Sequence, residues 1–347
     1  FWPPDDSCTI LSTWAARPPS ARGISWTRRL PLPGLCGKQT CMTQDERIKG
    51  ILEAFERGSG YQRQAVNAAL ELGDEIAPHL VGILGRVAEQ PETWVDDHDR
   101  MDHIYAAVLL GYLGVTEAHE LLVRVLSLPG EQPFDVFGDM VNELFPAFLF
   151  RTAAGSFDGV DGLLADRQAN PYSRGAAAVA LTYAYAAGVI PRQDLLLRLG
   201  RALRQGLDRE NDYDFYALLA GTLCKVCPVE LMPEIRLGLE KGLIDPGHIN
   251  LDYFEDTIAQ GEEAALEELQ QTMASYMPAA PAGTRSYLRQ VKVWIRQAPA
   301  SQRRATGWGS AFTREVTRTR SSHTLVSGTQ EPATTEPSIS KPLPPRS

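Results

Sequence analysis

The sequence predicts an all-α protein whose helices come in antiparallel pairs. Apolar residues recur at three- and four-residue spacing along most of the chain, as at Tyr105, Val108, Leu109 and Tyr112. Gly, Pro and Asp interrupt this periodicity after about 10–17 residues, which is an ordinary helix length. No alternating run of β-branched residues typical of a strand occurs. The hydrophobic content of 44% is sufficient for a buried core.

The breaks divide the chain into helices that pair with their successors. The predicted pairs are 61–73 with 75–90, 100–113 with 116–127, 171–187 with 191–205, and 213–226 with 229–242. A unit of roughly 30–40 residues is typical of helical repeat arrays, in which neighbouring pairs stack and bury one continuous core. We therefore predict a HEAT-like α-solenoid with a concave groove. A compact, irregular α-bundle is the alternative packing.

Both ends of the chain lack this periodicity. Residues 1–41 are rich in proline, and a helix start follows directly after Met42, so we interpret 1–41 as a disordered, non-native upstream segment. Residues 283–297 are predicted to form the last helix. The Ser-, Thr-, Arg- and Pro-rich residues 299–347 cannot bury enough apolar area to offset their ordering entropy, which predicts a disordered tail. The repeat domain is thus expected over 42–298.

The charge is distributed unevenly. Residues 42–280 hold 18 Lys and Arg against 38 Asp and Glu, a net charge of −20 within a total of −9. Such an acidic body repels a phosphate backbone, which argues against nucleic acid and favours another protein, a basic one, as partner. The alternative interpretation is that the acidity only keeps the protein dispersed. No apolar run reaches the roughly 18 residues needed to span a bilayer, so no membrane partner is expected. Five cysteines are an odd number and form no disulfide framework, which indicates the reducing cytoplasm.

The strongest candidate for a binding site is the segment 129–143, where a Pro- and Gly-rich loop leads into a helix. Asp135, Asp139 and Glu143 are spaced four apart, so a continuous helix would place them on one face. Like charges at this spacing destabilise an isolated helix, which suggests a compensating role. That role would be docking of a basic partner, or weak cation binding through oxygen ligands. The alternative interpretation is that Asp135 caps the helix while the other two face solvent or pair with nearby arginines.

The segment 96–103 alternates carboxylates and imidazoles. His98 and Asp102 lie one helical turn apart, as do Asp99 and His103, and two such ligands form half of a zinc site. No sequence signal identifies the other half. The alternative interpretation is that Asp96 and Asp97 cap a helix start, while His103 lies on the inner face and is satisfied by one hydrogen bond.

Two further segments carry weaker signals. Cys224 and Cys227 have CxxC spacing, but no second pair accompanies them and no βαβ unit surrounds them, so a structural role is expected. The acidic segment 208–214 lacks the residue spacing of a calcium loop and is interpreted as a solvated connector. Neither a phosphate-binding glycine loop nor a GxSxG motif occurs, which favours a non-enzymatic function.

Several short motifs in order give the stretch 103–261 a family resemblance. They are His103–Ala106, 127–131, 138–139 with Glu143, 170–174 with 176–177, 188–192 and 242–246. The stretch resembles the uncharacterised bacterial family named domain of unknown function 1186. The resemblance implies a HEAT-like helical fold and no established activity. Some members add a C-terminal Cys/His zinc motif, but residues 262–347 contain one His and no Cys, so no metal or other cofactor is expected here.

Two functional hypotheses follow. The first is a protein–protein interaction scaffold that presents an acidic concave surface, with Asp135, Asp139, Glu143 and His103 as the binding residues. The second is a metal-dependent hydrolase or other enzyme that uses Asp99, His103, Asp135 and Asp139 from neighbouring helices. The missing catalytic motifs and the predicted repeat architecture favour the first hypothesis.

Overall fold

The computed structural model describes residues 43–57, 60–97, 99–207 and 212–276, and over these residues the all-α prediction is confirmed. The described residues form sixteen α-helices and no β-strand. The helices are α1 (Gln44–Arg57), α2 (Arg63–Leu72), α3 (Ala77–Glu89), α4 (Glu92–Asp96), α5 (Asp102–Leu113), α6 (His119–Leu126), α7 (Gln132–Phe137), α8 (Met140–Glu143), α9 (Phe145–Thr152), α10 (Asp158–Ala165), α11 (Pro171–Ala186), α12 (Arg192–Leu207), α13 (Tyr213–Cys224), α14 (Met232–Glu240), α15 (Leu251–Gln260) and α16 (Glu262–Tyr276). The predicted upstream segment 1–41, the predicted helix 283–297 and the predicted tail 299–347 lie outside the described residues.

The eight helices that make up the four predicted pairs are present, as α2 and α3, α5 and α6, α11 and α12, and α13 and α14. Of these pairs, α11 and α12 pack against each other most extensively, whereas α3 packs mainly on α5. Two further helices, α9 and α10, were not predicted. Six of the eight residues of α9 are buried, among them Phe145, Phe148 and Leu149.

Helix packing follows two series of contacts. Helices α5, α9, α11 and α13 each contact the next helix in that order, and so do α3, α6, α10, α12 and α14. The two series also contact each other, α3 with α5, α6 with α9, α10 with α11, and α12 with α13. One hydrophobic cluster extends from Ile48 in α1 to Leu269 in α16, so the helices share a continuous core.

Helices α5 and α11 are the most buried elements. Ten of the twelve residues of α5 and thirteen of the sixteen residues of α11 are buried. Small residues allow this close packing, since a Cβ atom at Gly111 would lie 2.2 Å from the ring of Phe148. Helix α11 also contacts α8 and α16, which belong to neither of the two series. None of the described helices has both the length and the apolar character required to cross a membrane.

Candidate functional site

The acidic segment, residues 129–143, is not one helix, and that prediction is wrong. It contains α7 and α8, separated by Gly138, whose φ of 59° and ψ of −148° are incompatible with a helix. The amide of Gly138 donates to the carbonyl of Phe134 (2.8 Å) and closes α7. Because a positive φ is readily adopted by glycine, the chain turns here, and Asp135 and Asp139 belong to different helices.

The acidic side chains nevertheless lie at the surface. Asp135 and Asp139 are exposed, and Glu143 is half-buried. Asp135 lies within the first turn of α7, and the N-cap position belongs to Glu131, so the interpretation of Asp135 as the cap is wrong. Asp139 occupies the N-cap position of α8 without a capping hydrogen bond from its side chain. Asp135 and Asp139 are therefore available to solvent.

His103 anchors the middle of the acidic segment from beneath. It is buried in α5, and its Nε2 lies 2.9 Å from the carbonyl oxygen of Val136 in α7. Since a carbonyl oxygen can only accept, Nε2 carries the proton and donates it. The imidazole also packs against the ring of Phe137 at 5.5 Å between centroids. The prediction that His103 is an inner-face residue with a hydrogen bond is confirmed, and the buried imidazole positions α7.

Asp102, the neighbour of His103, organises the start of α5. Its carboxylate is 3% exposed and accepts hydrogen bonds from Trp94 Nε1 (2.7 Å), from Arg100 Nε and Nη2 (3.0 Å each) and from the His103 amide (3.0 Å). Burial alone raises the pKa of Asp102, but the hydrogen bonds from Arg100 and Trp94 outweigh it, so the pKa lies below its usual value. Arg100 also stacks over the Trp94 ring at 4.7 Å. This cluster fixes α4 against α5.

The predicted capping role of Asp96 and Asp97 is wrong. Asp96 ends α4, Asp97 forms an ion pair with Arg57 (3.1 Å), and α5 begins only at Asp102. Asp99 is exposed, and His98 lies outside the described residues. Within the part of the chain that the structure describes, no three His, Cys, Asp or Glu side chains converge in an arrangement that could hold a metal ion.

Asn170 anchors the start of the acidic segment. Its Nδ2 donates to the carbonyl of Gly130 (2.9 Å) and to Oε1 of Glu131 (3.2 Å). Its Oδ1 accepts from the amide of Tyr172 (3.0 Å) and so caps the N-terminus of α11. Phe134 packs edge-on against the Tyr172 ring, with centroids 5.6 Å apart. One buried amide thus holds both α11 and the acidic segment.

Tyr172 reports the electrostatic character of this surface. Burial, together with the negative charges of Asp214 and Glu131, raises the pKa of Tyr172 to about 12. Asp214 and Glu131 are both exposed. The acidic surface therefore continues from the acidic segment to the N-terminus of α13.

A second buried ion pair, absent from the sequence predictions, supports α11. The Arg174 guanidinium pairs with Asp212, donates to the carbonyl of Leu164 (3.2 Å) and lies over the Phe215 ring at 3.6 Å. Asp212 belongs to the segment 208–214, for which a solvated connector was predicted. For Asp212 that prediction is wrong, because its carboxylate pairs with the buried Arg174. The one sequence signal for this pair is that Arg174 is an arginine within an alanine-rich helix.

Cys224 and Cys227, the two cysteines of the described residues, both have a reduced thiol. The thiol of Cys224 donates to the carbonyl of Tyr253 (3.3 Å) and lies 3.6 Å from Thr257 Oγ1. Cys227 is buried, and neither cysteine forms a disulfide. Burial raises the pKa of both thiols, which keeps them protonated. These contacts fit the structural role that was expected for the pair.

Several motifs that carry the family resemblance meet around the acidic segment, among them His103, residues 127–131 and residues 170–174. The family described as "Protein of unknown function (DUF1186)" matches residues 47–278. An uncharacterized protein of Chlamydia trachomatis is 27% identical over 215 residues, which cover 61% of this chain and 84% of the relative. An uncharacterized protein of Chlamydia muridarum is 26% identical over 224 residues, covering 64% and 89%. No solved structure matches. The chain belongs to the DUF1186 family of proteins of unknown function.

Proposed function

We propose that this protein is a protein–protein interaction scaffold that presents the acidic segment to a basic partner. One observation carries the proposal. The exposed carboxylates of Asp135 and Asp139 stand on a backbone that buried side chains hold at two points, at Val136 through His103 and at Gly130 through Asn170.

The energetics of these anchors support a recognition role. Burying an imidazole and a carboxamide is costly unless each forms hydrogen bonds. Here both side chains donate a hydrogen bond to the main chain of a surface segment whose two helices are only six and four residues long. A binding segment that is ordered in advance does not have to be ordered when a partner arrives, and this raises affinity. Exposed carboxylates in a body of strongly negative charge would attract the Lys and Arg side chains of a partner.

We further propose that the paired helices form a HEAT-like solenoid. The two series of helix contacts support this arrangement, because each helix touches the next member of its own series, as stacked repeats do. Since α8 and α16 cover α11, the proposed partner surface is the acidic segment and not a groove floor formed by α11. The thiols of Cys224 and Cys227 form no disulfide, which supports a reducing, cytoplasmic location.

The enzymatic alternative has less support. It requires Asp99, His103, Asp135 and Asp139 to act together on a metal. The Nε2 atom of His103 is already committed to the carbonyl of Val136, and no metal-binding group of three side chains includes these residues within the described ranges.

The proposal is tested by affinity capture from the native host's lysate with the full chain as bait. Three baits are compared: the wild type, Asp135→Asn/Asp139→Asn, and the control Asp194→Asn/Glu240→Gln, which removes the same charge from two other exposed positions. We expect a basic protein that the wild type and the control retain and the first variant loses. The captured protein, once purified, should bind the wild type directly and more weakly as salt is raised.

Capture of the same proteins by all three baits would contradict the proposed docking surface. Circular dichroism of each bait establishes that lost binding does not reflect lost folding.

A further inference from the structure

The C-terminal helix α16 covers part of α11. Gln270 Nε2 donates to the carbonyl of Ala186 (3.0 Å), and the Tyr185 hydroxyl lies 3.4 Å from Glu262 Oε1. Arg192, which begins α12, places its Nε 3.5 Å from Glu262 Oε2. Polar contacts therefore tie the first residue of α16 to α11 and α12, and the middle of α16 to the C-terminal end of α11.

The apolar contribution of α16 to the core is small. Of its fifteen residues, Ala265 and Leu269 are buried, whereas thirteen of the sixteen residues of α11 are. The arginine that pairs with α16 also pairs with a second carboxylate outside α16. Arg192 forms shorter contacts with Glu230 (2.5 and 2.9 Å) than with Glu262, so the guanidinium keeps a partner when Glu262 leaves. Helices with few buried apolar contacts open locally at low free energy.

A single glycine connects α16 to the rest of the protein. Helix α15 ends where the Gly261 amide donates to the carbonyl of Thr257 (3.1 Å), and α16 begins at Glu262. Gly261 has a φ of 90°, which a side chain would strain. Such a residue can absorb the backbone rotation of a hinge, so α16 can swing while α15 stays folded.

We propose that α16 is a releasable strap that opens without global unfolding and uncovers the Tyr185–Ala186 end of α11. The strap also shields Cys227. Cys227 is buried, and its carbonyl accepts a hydrogen bond from Arg192, which also pairs with Glu262 at the start of α16, so Cys227 lies close to the first turn of α16. Opening of the strap exposes the thiol to reagents, so the native cysteine reports the motion. While α16 is in place, this end of α11 is buried, so the strap controls access to it.

The test uses the full chain and two readouts, amide hydrogen exchange and labelling of Cys227 by N-ethylmaleimide, each located by peptide mass spectrometry. We expect amides of 262–276 to exchange at least ~10-fold faster than those of 171–186 in the wild type. The variant Glu262→Ala/Gln270→Ala should increase both α16 exchange and Cys227 labelling severalfold. The matched control Glu263→Ala/Gln271→Ala, at the next and exposed positions, should change neither.

Exchange of α16 at the rate of α11 in the wild type would overturn the proposal, whatever the variants do. Labelling of Cys227 at the same rate in the wild type and in Glu262→Ala/Gln270→Ala would show that α16 does not shield the thiol. Global unfolding of that variant, detected by circular dichroism, would make α16 an integral part of the core and would equally contradict a strap.

Discussion

The N-terminal ends of α5 and α11 each contain a buried ion pair whose arginine lies over an aromatic ring, but opposite members of the two pairs are buried. At α5 the carboxylate is inside, since the Asp102 side chain is 4% exposed and that of Arg100 is 18% exposed. At α11 the guanidinium is inside, since the Arg174 side chain is 2% exposed and that of Asp212 is 12% exposed. A buried charge is tolerated only with its partner, so the outer residue of each pair is the one whose loss is costly.

The two pairs also differ in their other hydrogen bonds. If Arg100 is removed, Asp102 keeps the donors of Trp94 and of the His103 amide. If Asp212 is removed, Arg174 keeps the carbonyl of Leu164 and the face of Phe215, which do not neutralise its charge. The comparison predicts that the α11 pair is the more sensitive of the two.

The largest effect is expected for Asp212→Ala. Leaving the Arg174 guanidinium buried without a carboxylate should lower the free energy of unfolding by about 3–5 kcal/mol, measured by urea denaturation. Asp212 makes no capping hydrogen bond to α13, so the loss reports the ion pair. The exposed neighbour is the control, and Asp214→Ala should cost less than about 0.5 kcal/mol. Equal losses at Asp212 and Asp214 would show that the buried ion pair is not the cause, and a larger loss for Arg100→Met than for Asp212→Ala would refute the asymmetry.

A smaller loss is expected for Arg100→Met, about 1.5–3 kcal/mol, because Asp102 keeps two donors. The difference from the wild type should depend on pH. The pKa of Asp102 is lowered in the folded state, so its contribution is present above the pKa of the unfolded chain and is lost as the pH falls through the folded pKa. The stabilities of variant and wild type should therefore converge in acid. A difference that stays constant down to the lowest pH would argue against the Asp102 assignment.

For Asn170→Ala we expect a loss of about 1–2 kcal/mol, because the cap of α11 and the bond to Gly130 disappear together. Amide exchange should accelerate in residues 129–137 and stay unchanged in α5. Asn67→Ala, at an exposed position of α2, should have no such effect. An unchanged exchange rate in 129–137 would mean that Asn170 serves α11 alone.

The smallest effect is expected from His119. Burial lowers the pKa of His119, whose Nδ1 lies 3.0 Å from Thr152 Oγ1. Below the unfolded pKa of about 6.5 the unfolded chain binds the proton first, so stability should fall as the pH drops from there through the folded pKa. His119→Gln should flatten the stability profile in this window, whereas the exposed His79→Gln should leave it unchanged. Identical stability profiles for His119→Gln and His79→Gln would show that His119 does not cause the loss of stability in this pH window.

The sequence signals were sufficient for local features and insufficient for contacts between distant segments. Apolar periodicity identified the eight helices of the four predicted pairs because it depends on neighbouring residues alone. The break at Gly138 was missed because a glycine in a helical pattern costs only about 1 kcal/mol, and the pattern alone does not reveal a positive φ. The bond from His103 to the Val136 carbonyl has no sequence signal, since every residue carries a carbonyl. Asp212 and Arg174 are 38 residues apart and meet only through folding.

The claim that the acidic segment is held in advance of binding is tested most directly by amide hydrogen exchange of the unbound wild type. The amides of Gly138, Asn142 and Glu143 donate to main-chain carbonyls within the acidic segment. If His103 and Asn170 fix that backbone, these amides should exchange ~100-fold or more slowly than in an unstructured peptide, and Asn170→Ala should reduce the protection. Exchange at the unstructured rate in the wild type would show that the acidic segment is not preorganised, and the proposed docking surface would lose its main support.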